Sequence, residues 1–176
     1  MSNKFFLLIF FVLFMLGCSS VSIKKNSTEE EQTMVEAEKF YNQWEVEKAQ
    51  ECLEKYELEN GKTSEAEELL SKILARKLSK EKLFQTVEEI KNAILENKID
   101  DIKKYSKKSF FLKQKIKKLK SYDFEGFQLY SGSYKFDGSK AECIIVANYV
   151  DESFYIIVKF RLKNGIWELS DFKERR

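Results

Sequence analysis

The residues of this chain whose types and spacing suit chemistry are its three cysteines, Asp123, Asp171 and several of its tyrosines. Cys18 stands at the end of an unbroken apolar run, Phe5 to Leu16, with Lys4 before the run and the small Gly17 after it. A basic start, an apolar stretch of that length and a small residue at the cut mark a segment removed on export, with Cys18 just past the small residue. Cys52 and Cys143 lie far apart and lack metal-ligand spacing. An exported compartment permits a disulfide between them, and separate burial of two thiols among apolar neighbours is the alternative. Histidine is absent, which removes the usual general base, the commonest metal ligand and every Ser-His or Cys-His arrangement. Proton abstraction is the only catalytic class the inventory supports, using Asp123 or Asp171 with tyrosines such as Tyr105, Tyr122, Tyr149 and Tyr155. Both aspartates fall near expected strand ends, where carboxylates are solvated or act as caps. The expectation is a protein without catalytic activity, cofactor or metal.

At Met15-Leu16-Gly17-Cys18 the sequence resembles the bacterial lipoprotein signal, departing from it at Met15, where that pattern usually carries Leu. The resemblance implies loss of residues 1–17, acylation of Cys18 and attachment to a membrane of the cell envelope. Ser19 after the cysteine implies, in a Gram-negative envelope, release to the outer membrane, on its periplasmic or surface face. The apolar run itself is too short to span, since a transmembrane helix needs about 20 apolar residues. Residues 18–27 are polar, lack periodicity and read as a tether.

Lys and Arg number 31 and Asp and Glu 29, so no general positive field draws nucleic acid. The charges are nonetheless segregated, glutamate dominating Glu29 to Glu68 and lysine dominating Lys72 to Lys120. Lys103, Lys104, Lys107 and Lys108, then Lys113, Lys115, Lys117, Lys118 and Lys120, read as a solvated face or as contacts to anionic headgroups or an acidic partner.

These residues need a scaffold. Thr28 with Glu31, and Ser64 with Glu67, have capping-box spacing and predict two helix starts. Met34, Ala37, Tyr41 and Trp44 share one side of the first helix, Val46, Ala49, Leu53 and Tyr56 repeat the spacing, and Asn60-Gly61 ends the run. Ala66, Leu70, Ile73 and Leu74 mark a further helix. Through Ala37, Phe40, Ala49 and Leu53 the segment resembles a single tetratricopeptide unit. A lone unit cannot bury its own faces, which implies support from the rest of the chain or from a protein partner.

Leu83, Val87, Ile90 and Ile94 form the clearest helical stripe, with Asn97 as its stop. Asp100 is expected to cap a short helix through Tyr105, and Phe111, Ile116 and Leu119 to mark another. Beyond Lys120 the period changes to that of strands. Tyr122 to Phe136 reads as a bent or bulged strand, Asp137-Gly138 as a turn, Ala141 to Val150 as a strand apolar on both faces, Phe154 to Leu162 as an alternating one, and Asn164-Gly165 as a tight hairpin into Ile166 to Phe172. The fold class is therefore α+β, helices packed on at least four antiparallel strands.

Val87 to Tyr105, the hairpin strands and Asn164-Gly165-Ile166-Trp167 with Phe172 resemble the cystatin-like cone of the nuclear transport factor 2-like superfamily. That divides the chain into residues 1–17, 18–27, a helical segment at 28–80 and a cone at 81–176. The resemblance implies a cone mouth for a small apolar ligand or a partner, with Tyr105, Tyr122, Tyr149 and Trp167 as pocket candidates, and pairing of two copies through the sheet face. The function expected is a lipid-anchored envelope binding or scaffolding module. A small-ligand carrier or weak enzyme using the cone, and an envelope immunity or inhibitor protein, are the alternatives.

Overall fold

The computed structural model describes residues 27–106, 109–150 and 152–175, with side chains from Gln32 onward. Cys18, the expected signal segment and tether residues 18–26 lie outside the described residues, as do Lys107, Lys108 and the side chains of Thr28 and Glu31.

The chain is α+β: helices first, then a four-stranded antiparallel sheet in the order β1-β2-β3-β4. Helix α1 spans Ser27–Asn42 and α2 Val46–Asn60. Ala37 from α1 and Val46, Ala49 and Leu53 from α2 are buried with Ala66, Leu69 and Ile73 of the following helix, a small core edged by Phe40, Tyr41 and Tyr56. Gly61 ends α2 at φ 77°, its N–H donating to the Glu57 carbonyl at 2.8 Å, as the Asn60-Gly61 pair predicts.

Helix α3 runs unbroken from Ser64 to Leu95. The two helical patterns at Ala66–Leu74 and Leu83–Ile94 thus belong to one rod, and the expected division at residues 80 and 81 falls inside it. Its cap is Thr63, one residue ahead of the expected Ser64, whose hydroxyl accepts from the Ala66 N–H at 3.2 Å. Leu69, not Leu74, completes the inward face of the first half, and Leu74 is exposed. In the second half Leu83, Val87, Ile90 and Ile94 are all fully buried, each burial stabilising by about 1.5–3 kcal/mol.

Asn97, in the left-handed region at φ 56°, turns the chain out of α3. A 3-10 helix, Ile99–Tyr105, follows, then α4 at Phe110–Leu119. Asp100 makes no capping bond, a correction to the expectation; its carboxylate pairs instead with Lys103 and Lys120. The hydroxyl of Ser109 caps α4 by accepting from Leu112 N–H, and Leu112, Ile116 and Leu119 face inward while Phe111 does not.

Strands β1 (Gln128–Asp137), β2 (Lys140–Tyr149), β3 (Glu152–Lys163) and β4 (Ile166–Arg175) form a meander. The residues from Tyr122 to Phe127 precede the strand, while the expected bulge lies inside it, between Ser131 and Tyr134. Asn164 and Gly165 both take positive φ, 51° and 75°, and close a two-residue hairpin. One sheet face presents Ala141, Cys143, Ile145, Ile156, Val158 and Phe160 to α3 and α4, and all six are buried. The other face carries the half-buried Ile144, Val146 and Ile157 between the exposed rings of Tyr130 and Tyr155.

Candidate functional site

The four tyrosine and tryptophan candidates fall in three places. Tyr122 and Tyr149 are two ends of an aromatic chain running through Phe124 and Phe127, with successive ring centroids 4.9–6.2 Å apart. Tyr122 donates its hydroxyl proton to Glu174 at 2.5 Å and lines two clefts of about 460 and 440 Å³. Their walls are largely surface charges, among them Lys115 and Asp171, paired 2.6 Å apart. Tyr105 sits apart, by the end of α3, its ring under the Lys104 ammonium and its hydroxyl buried with no hydrogen-bond partner among the described residues. Trp167 is at the opposite end of the sheet from Tyr122, buried in the core.

The aspartates also separate. Asp123 is exposed and its carboxylate accepts from the Glu125 N–H at 3.0 Å. Asp171 lies within β4, rather than at a strand end, beside the register shift opposite Lys159 and Phe160. Partial burial pushes its carboxyl up, but the Lys115 ammonium, the Phe172 N–H and Lys159 together outweigh that and hold it below the usual carboxylate range. A lowered Asp171 is the reverse of what a general base at neutral pH needs. Cys52 and Cys143 are free thiols, Cys52 half-buried at the small helical core and Cys143 fully buried under the sheet. Burial pushes the Cys143 thiol up to about 11, which keeps it protonated and unreactive. Among the described residues no cluster of three or more His, Cys, Asp or Glu side chains is placed to hold a metal ion.

The site best formed for binding lies where the helical segment meets the sheet. Trp44, between α1 and α2, leaves the helix that its spacing predicts. Its φ is 65°, a conformation that costs a non-glycine residue about 1–2 kcal/mol. Its indole stacks on Phe136 at 4.8 Å, tilts against Trp167 at 5.5 Å and donates to the Gly138 carbonyl at 2.9 Å. Strain in that turn is therefore offset by contacts made across the joint.

Arg76 of α3 lies beside this ring. Its guanidinium is 3.6 Å from the Tyr41 ring centroid and 4.7 Å from that of Trp44, and one N–H donates to the Tyr41 carbonyl. Two aromatic faces and a carbonyl fix the guanidinium plane. Burial lowers its pKa from the ordinary very high value without discharging it. Among the described residues no carboxylate pairs with it.

Arg76 opens on a cleft of about 310 Å³ whose apolar side is Trp44, Leu78 and Leu162. Lys72 and Lys82 stand at its edge, and among the described residues no acidic side chain lines it. The hydroxyl of Ser79, also in the lining, is buried with no hydrogen-bond partner among the described residues. The arrangement suits an anionic group, carboxylate or phosphate, borne on an apolar stem. Sequence reasoning passes over Arg76 and Ser79 and gives Tyr41 only a place on a helix face. The one available signal is compositional: arginine occurs only at 76, 161, 175 and 176 among 31 basic residues, and a guanidinium does what an ammonium does not, stacking and binding in a plane.

The chain matches no protein-family model, no curated protein and no solved structure. No helix among the described residues is long and apolar enough to cross a membrane.

Proposed function

We propose that this chain is a non-catalytic binding module, attached to a membrane of the cell envelope through an acylated Cys18, whose recognition groove is the Arg76 cleft. The observation that carries the proposal is the half-buried Arg76 guanidinium, held by two rings and left without a carboxylate partner among the described residues. A charge placed there in an uncompensated state costs stability, and an incoming anion removes that cost. The unpaired Ser79 hydroxyl and the turn at Trp44 support the same reading.

The α+β half is read as a cystatin-like cone of the nuclear transport factor 2-like kind, supported by α3 lying on one face of a meander with irregular β1 and β4. We place the ligand at the joint and not inside that half, because the space between α3 and the sheet is filled by Ile90, Ile94, Ile145, Ile156 and Phe160. The half-buried apolar strip on the other sheet face supports pairing of two copies.

Titration of the protein with N-acetyl-leucine, a carboxylate on an apolar stem, tests the groove by the indole N–H signal of Trp44. A saturable shift of that signal, abolished in Arg76→Gln and weakened in Arg76→Lys, is expected. An unmoved signal, or one moved equally in Arg76→Gln, rejects the groove. The mass of the host-made chain tests the anchor: loss of residues 1–17 with acyl groups on Cys18 is expected, and an unmodified Cys18 rejects it.

A further inference from the structure

Helix α4 opens with two adjacent phenylalanines that the core does not use. Phe110 is 67% and Phe111 77% exposed, with ring centroids 6.1 Å apart in an edge-on arrangement. The inward face of α4 is complete without them: Leu112, Ile116 and Leu119 are each at most 3% exposed. At 100° per residue, Phe110, Gln114, Lys117 and Lys118 fall on the side away from those three, flanked by Phe111 and Lys113. All six are exposed. Lys115 is engaged with Asp171 and Lys120 with Asp100, whereas Lys113, Lys117 and Lys118 have no ion pair among the described residues, and α4 contains no acidic residue.

From this we infer that α4 is a membrane-contact surface, in which Phe110 and Phe111 enter the interfacial layer of an anionic bilayer while Lys113, Lys117 and Lys118 meet its phosphates. The inference rests in part on the lipid-anchored reading, which puts a bilayer beside the fold. Two largely exposed aromatic rings forfeit apolar burial in water, which a headgroup layer restores. Charge complementarity selects the occupant: three unpaired ammonium groups surround the rings, and each contributes a factor of about five in attraction to an acidic lipid surface. Long lysine stems also let the charges stay at the phosphates while the rings lie deeper.

Hydrogen exchange of the acylated full chain, reconstituted in phosphatidylglycerol vesicles and separately in phosphatidylcholine vesicles, tests this. Slower exchange over residues 109–119 in the anionic vesicles alone, lost in Phe110→Ser/Phe111→Ser and in Lys113→Gln/Lys117→Gln/Lys118→Gln, is expected. Both variants alter exposed positions, and unchanged melting temperatures certify their folds. Equal exchange in the two vesicle types, or protection that survives both variants, overturns the inference and leaves an acidic protein as the occupant to seek. The mass of the same preparation separates the two readings: an unacylated chain rejects the anchor, while an acylated chain with unprotected α4 rejects only this surface.

Discussion

Trp44 and Trp167 exchange hydrogen bonds between the two parts of the chain. The indole of Trp44, from the helical segment, donates to Gly138 in the β1–β2 turn, and the indole of Trp167, from β4, donates to Ser79 in α3, each at 2.9 Å. Their rings meet 5.5 Å apart, so each segment is fastened by the other's tryptophan.

Truncating either ring should therefore destabilise the whole protein. Trp44→Ala and Trp167→Ala are each expected to cost about 3–5 kcal/mol. Because the rings touch, the double variant should depart from additivity by about 0.5–3 kcal/mol. Urea unfolding followed by circular dichroism measures both. Strict additivity would show that the two rings act independently.

The cysteines should differ sharply in reactivity. Cys143 is fully buried, and burial lifts its thiol to about 11; Cys52 is half-buried and is raised too, by partial burial and then by Glu36 and Glu51. Iodoacetamide at mildly alkaline pH is expected to modify Cys52 in the native protein and Cys143 only when the sheet opens. Peptide mapping by mass distinguishes the two. Native-state labelling of Cys143 at the rate of an open thiol would contradict its placement.

Acid should release the link between the 3-10 helix and α4. Lys103 and Lys120 hold the Asp100 carboxyl at about 2, below its ordinary 3.8. A depressed folded value means that this contribution is complete above pH about 4 and fades as pH falls through about 2. Asp100→Asn should lower the melting temperature at neutral pH and flatten the acid limb of the stability curve between those limits. An acid limb of unchanged slope would remove Asp100 from the set of groups that shape it.

Gly132 sits in the irregular part of β1, and a Cβ there would stand 2.9 Å from the Ile144 carbonyl oxygen. A backbone atom yields little, so Gly132→Ala is expected to cost about 1–3 kcal/mol. Gly138→Ala meets no atom within 4 Å, and its cost comes from φ alone, at 55°. Comparing the two by thermal melting separates contact from conformation.

The parts of the fold decided by local chemistry were readable in the sequence. The stripe at Leu83, Val87, Ile90 and Ile94 is buried as its spacing requires, and Asn164-Gly165 folds into the hairpin its positive φ values permit. Where two local solutions compete, spacing misleads. Thr63 and Ser64 are adjacent hydroxyls, and the cap went to the first. The polar run Arg76 to Lys82 hides the continuity of α3, because only Leu78 interrupts it and that side chain is exposed. Trp44 continues the period of α1, yet contacts with Phe136 and Trp167, far away in sequence, draw it into a turn that no local rule favours. The Arg76 cleft was illegible for the same reason, since Tyr41, Arg76 and Leu162 meet only through the fold.

A 32-residue helix is about 48 Å long, and α3 places its first half in one core and its second half in the other. With a single rod common to both, and tryptophans locking them side by side, there is no hinge about which one could swing against the other. A pull or twist applied to α1 and α2 is delivered to the sheet as torque on a stiff lever, so the two cores turn as one piece.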